Sequence, residues 1–108
     1  MKVSTSELAG AALDWAVAKC EGRTDVRVDP DDGELVGQSD FDYSTDWAQG
    51  GPLIERENIC LRGVVGGFHA WYHQMPPKMF GTSMLIAAMR CYVANKLGDE
   101  IEIPEELT

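Results

Sequence analysis

The sequence predicts an α+β domain in which two buried helices pack on a small, mainly antiparallel sheet. Two long apolar runs, at residues 5–21 and 83–97, have helix length and helix punctuation. Between them, short alternating segments are separated by clusters of Gly, Pro and Asp, the pattern of hairpin strands. A chain of 108 residues with 44% apolar and 25% charged side chains has the size and composition of one globular domain, spanning 1–108.

Residues 5–21 form the first helix. Ser4 and Glu7 have capping-box spacing, and Gly22 suits the position after the last turn. Glu7, Asp14 and Glu21 recur every seven residues as one narrow polar stripe. Leu8, Leu13, Trp15 and Val17 help cover the remaining wide apolar arc, so this helix is buried. A hairpin follows over 25–37, with Val26 and Val28 flanking Arg27, a turn at 29–33, and Leu35-Val36 beginning the return. The Asp cluster in that turn does not fit a calcium loop: Gly33 is fifth rather than sixth from Asp29, and Asp40 stands where a bidentate Glu belongs.

Residues 38–52 read as a long connection broken by Gly50-Gly51-Pro52, with a short helical turn at 52–57. A strand starts at Ile59-Cys60-Leu61, the glycine-rich 63–67 turns the chain, and 68–74 returns with His69, Trp71 and His73 on one face and Phe68, Ala70 and Tyr72 on the other. Met75-Pro76-Pro77-Lys78 reads as a stiff extended link. The second strong helix, 83–97, is capped by Thr82 or Ser83, ended by Gly98 and apolar on every side, with Arg90 its main interior charge. Ile101-Glu102-Ile103 reads as a short edge strand or docked tail before Pro104.

Eighteen acidic and nine basic residues give a net charge of −9. That excess repels phosphates and anionic bilayers, so neither direct nucleic acid nor a membrane is an expected partner. The stretch 25–46 holds eight carboxylates and only Arg27 against them, either a solubilising face or a surface for a basic host protein. Cys20, Cys60 and Cys91 lack paired metal-site spacing and suit free thiols in a reducing cytoplasm. No cofactor or metal is expected. On one strand His69 and His73 would stand roughly 13 Å apart, too far to share an ion.

The segment Tyr43-Ser44-Thr45-Asp46-Trp47-Ala48-Gln49-Gly50-Gly51-Pro52, continuing into Ile54-Glu55-Arg56-Glu57, concentrates aromatics, acceptors and charge. Together with Leu85-Ile86-Ala87-Ala88-Met89-Arg90-Cys91-Tyr92-Val93 and an opening Met1-Lys2-Val3 that leads into an Ala-rich helix with Trp15, it resembles the phage and prophage NinX-type family. The resemblance implies a phage accessory protein acting in a bacterial cytoplasm and carries no catalytic assignment.

The candidate binding residues are Tyr43, Asp46, Trp47, Gln49, Arg56, Trp71, His73 and Arg90, expected to line one pocket under the 43–57 loop for a small nucleotide-like ligand. Trp47 or Trp71 would stack, Asp46 and Gln49 would read a polar edge, and Arg56 or Arg90 would meet a phosphate. Against these roles stand plainer ones: Trp47 as a core plug, Asp46 as a helix cap, and Arg56 as a solvated charge. Arg90 either lies along a wet stripe or pairs with Asp46 or Glu55. No nucleophile motif or phosphate loop is present, so no catalytic residue is assigned. A module that redirects a host protein and an unrecognised hydrolase are the competing classes.

Overall fold

The structure, a computed structural model, describes residues 1–23, 27–28, 35–36, 41–73 and 75–107. Among these residues it is an α+β fold with three α-helices, two antiparallel sheets of two strands and one of three. Strand β1 (Lys2–Ser4) pairs antiparallel with β7 (Glu100–Glu102), Val3 opposite Ile101. That pairing holds Ser4 extended and brings Thr5 to Asp99: the Thr5 amide donates to the Asp99 carbonyl at 2.7 Å and its hydroxyl to the Gly98 carbonyl at 2.6 Å. The capping box expected at Ser4 and Glu7 therefore does not form. Residues Thr5–Glu7 make a 3₁₀ turn, and helix α1 spans Gly10–Cys20. A tertiary partner has outbid a local motif.

Helix α1 ends as expected. Gly22 takes φ +76°, and the Gly22 and Arg23 amides donate to the Lys19 and Ala18 carbonyls, both at 3.0 Å, which closes the last turn in a Schellman arrangement. The polar stripe is not uniformly wet. Asp14 is buried and accepts the Ser44 amide at 2.8 Å, tying α1 to the chain before the next helix. Trp15 is only partly buried, with the Lys19 ammonium 5.4 Å from its ring.

Strands β2 (Arg27–Val28) and β3 (Leu35–Val36) form the expected hairpin ladder. Its turn, the calcium comparison that rests on that turn, and most of the acidic stretch 25–46 lie outside the described residues.

Helix α2 spans Trp47–Glu57, so Gly50, Gly51 and Pro52 lie inside a helix rather than breaking the chain before a short turn. Packing gives the reason. A Cβ on Gly50 would stand 2.4 Å from the Tyr43 carbonyl oxygen and 2.6 Å from Leu85 Cδ2, so only glycine lets α2 lie this close to the preceding loop and the last helix. Asn58, in the left-handed region at φ 55°, ends the helix.

Strands β4 (Ile59–Val64), β5 (Gly67–Tyr72) and β6 (Met75–Gly81) form an antiparallel meander. Residues 75–78 are strand, not a link. The register between β5 and β6 slips between the Ala70–Met79 and Tyr72–Met75 pairs, so the prolines sit in a bulge on an edge strand, where missing amide donors are tolerated. Helix α3 (Met84–Leu97) begins at Ser83, whose hydroxyl accepts the Ile86 amide at 3.1 Å, and ends at Gly98. It packs on the inner face of the meander and against α1. Leu13, Ala16, Val17, Ala70, Ala87, Ala88, Met89 and Val93 lie fully enclosed at the centre of this core.

Candidate functional site

Asp46 begins α2 with extended backbone, and its Oδ1 accepts the Ala48 amide at 2.9 Å, the ordinary work of an N-cap. Gln49 folds back one turn: its Oε1 accepts the Asp42 amide at 2.8 Å and its amide nitrogen reaches Asp46 Oδ2 at 3.5 Å. Tyr43 is partly buried, its ring 6.4 Å from Phe41. These three residues brace the loop. Trp47, at the first helical position, is the exception. It is 53% exposed and plugs no core.

Trp47 overhangs an open groove of about 550 Å³, lined also by Ser44, Phe68, Met84, Leu85 and Ile86, with Thr45, Thr82 and Ser83 supplying hydroxyls. The first turns of α2 and α3 both border it, through Trp47 and through Met84, Leu85 and Ile86. Ser44 Oγ is enclosed without a well-formed hydrogen bond. It lies beside the Asp14 carboxylate, whose pKa burial raises and the Ser44 hydroxyl and amide lower, so that hydroxyl serves Asp14 rather than the groove.

The remaining expected site residues lie elsewhere. Arg56 forms a two-pronged ion pair with Glu21, at 3.0 and 2.8 Å, and also donates to Glu57 at 3.1 Å and to the Tyr92 hydroxyl at 3.0 Å. The Arg56 hydrogen bonds hold the Glu21 carboxyl below its usual range, and Tyr92 donates a short hydrogen bond to the same carboxylate. Burial first, and then the acceptor at Glu57, pushes the Tyr72 hydroxyl well above its ordinary pKa; it donates to Glu57 at 3.0 Å. This network joins α1, α2, α3 and β5 and leaves Arg56 no role at Trp47.

Arg90 neither follows a wet stripe nor pairs a carboxylate. Its guanidinium donates to the carbonyl oxygens of Leu8 at 2.6 Å and Phe80 at 2.8 Å, binding the start of the chain to β6 through α3, and burial lowers its pKa. Trp71 lies on the outer face of the meander under Lys78, whose ammonium is 5.4 Å from its ring. His73 lies past the end of β5 in a second depression with Ile54, Glu55, Asn58, Ile59 and Cys60. The single pocket expected from the sequence is thus divided: Trp47 lines the groove with Tyr43, Asp46 and Gln49 supporting its loop, while Arg56, Trp71, His73 and Arg90 stand apart.

Phe68, Met84, Leu85 and Ile86 are not among the residues expected from the sequence. A helix apolar on every side reads as wholly buried, which hides Met84, 38% exposed at its first turn. The signal available is position: a large apolar residue directly after an N-cap lies at a helix end, where cover is incomplete.

Cys20 and Cys91 are free, and burial pushes each thiol up to about 11. Among the described residues, no three His, Cys, Asp or Glu side chains cluster in a way that would hold a metal ion, and no helix is long and apolar enough to cross a membrane.

Fold and groove together define a small α+β domain with an open, tryptophan-rimmed apolar site. A family model described as Bacteriophage P22, NinX matches residues 4–96, and the chain belongs to that phage family. It is accordingly a phage accessory protein. No curated protein matches the chain.

Proposed function

We propose that this phage accessory protein is a non-enzymatic binder of a small, flat, nucleotide-like ligand, and that the groove beside Trp47 receives it. The observation that carries the reading is a tryptophan left 53% exposed at the start of a well-capped helix, over a floor of Phe68, Leu85 and Ile86. Exposing that much indole to water is unfavourable unless something flat covers it, and a capped helix holds the ring's backbone still, which limits the entropy lost on binding. The hydroxyls of Thr45, Thr82 and Ser83 supply the few polar contacts that fix orientation in a mostly apolar site.

Titration calorimetry with a panel of nucleobases, nucleosides and nucleotides tests this. Stacking on one aromatic is worth roughly 1–3 kcal/mol, so Trp47→Ala should weaken any compound that binds by about 5-fold to 150-fold. Arg56→Gln, remote from the groove, should leave affinity unchanged. Absence of binding across the panel, or equal affinity in Trp47→Ala, would sink the proposal.

A further inference from the structure

All eighteen carboxylates lie before Asn58 or after Gly98, whereas residues 58–98 carry Arg62, Lys78, Arg90, Lys96 and both histidines with no acid among them. Arg90 is committed to carbonyls, and Lys96 stands 4.0 Å from Glu57. Arg62 and Lys78 are exposed on the outer face of the meander, the face turned away from α3. Two rows cross that face. In one, Arg62 is paired in register with His69 and His69 with Phe80; the His69 and Phe80 rings meet edge-on at 6.0 Å, and Phe80 is 41% exposed. In the other, Cys60 is paired with Trp71, over which Lys78 lies. The first row runs from the Arg62 cation through His69 to the Phe80 ring, the second sets the Lys78 cation over the Trp71 ring, and two residues of strand separate the rows by about 6.6 Å. Glu55 stands beside Cys60 at the β4 edge, opposite the edge that carries Lys78.

We propose that this face binds single-stranded nucleic acid, with bases stacking on Phe80 and Trp71 and phosphates meeting Arg62 and Lys78. Charge complementarity selects an anionic occupant, and the exposed Phe80 ring together with the half-buried Trp71 ring favours one with flat groups over an acidic peptide. The net charge of −9 averages over the chain. At physiological ionic strength a charge is largely screened beyond about 8 Å, so binding is decided by the groups on the face itself. The site is independent of the Trp47 groove.

Fluorescence anisotropy of the full chain with labelled octathymidylate and octauridylate provides the test. Both should bind, and the tighter of the two identifies DNA or RNA as the source. Phe80→Ala and Trp71→Ala should each weaken binding at least about 5-fold, the lower end of the stacking range. Arg62→Gln combined with Lys78→Gln should flatten the slope of log affinity against log salt by about 1.4, at roughly 0.7 for each phosphate no longer neutralised. Phe80 and Lys78 are exposed, so their variants remain informative if Trp71→Ala fails to fold. The proposal is overturned if neither oligonucleotide binds. It is equally overturned if labelled oligoglutamate binds as tightly, or if Trp47→Ala removes binding while Phe80→Ala and the double glutamine variant do not.

Discussion

The contact between β6 and α3 and the groove one turn earlier along the same helix are both lined by apolar residues, yet one is closed and the other open. At the contact, Gly81 lies so near the helix that a Cβ would stand 2.4 Å from the Ala87 amide nitrogen, and Ala87, Ala88 and Met89 are wholly enclosed. At the groove the facing residues are Trp47, Phe68 and Met84, and the first and last remain 53% and 38% exposed. Apolar character is common to both places; the close approach of backbone to backbone at Gly81 separates them. Small residues let backbone close on backbone, as at Gly81, whereas bulky ones hold the surfaces apart and leave a space that something else can enter.

Three substitutions break or sharpen this contrast. Met89→Ala, at the centre of the closed side, leaves a cavity with no route to water and should lower unfolding free energy by about 2–5 kcal/mol, measured by urea denaturation. Gly81→Ala forces a methyl into the helix backbone and should cost about 1–3 kcal/mol as an overpacking strain. If Gly81→Ala unfolds at the same denaturant concentration as wild type, the closed contact is looser than described. Trp47→Ala, on the open side, should change stability by no more than about 0.5 kcal/mol, the range for surface positions. A decrease near that of Met89→Ala would mean Trp47 is part of the core and the groove reading is wrong.

The elements legible in the sequence are those whose signals are local. Ser83 and Gly98 bracket an apolar run, and both ends of α3 fall where those residues place them. Alternation alone assigns the faces of β5, with Ala70 inward and His69 outward. Sequence reasoning fails where distant parts of the chain decide. Gly50-Gly51-Pro52 has the local character of a break, but the demand of the Tyr43 carbonyl and Leu85 for a residue without Cβ puts Gly50 inside a helix. The capping box at Ser4 loses to partners at Gly98 and Asp99, more than ninety residues away. The site shows the same division. Trp47 is identifiable from its own segment, whereas its companions on β5 and α3 are not. Arg56 and Arg90 stand away from the Trp47 groove because their acceptors, Glu21 and two carbonyls, come from remote parts of the chain or from another element.

Pro76 and Pro77, placed in the bulge of β6, have a consequence for how molecules of this protein meet one another. A free sheet edge is a template on which a strand from a second molecule can add, and its row of amide donors is what the incoming strand reads. Proline has no amide hydrogen, so the pair removes two consecutive donors from β6. The register slip beside them bends the same stretch out of line. This edge is therefore a poor seed for the edge-to-edge pairing that leads to aggregates, and replacing both prolines with valine should make the protein more prone to precipitate at high concentration without changing the residues of the groove.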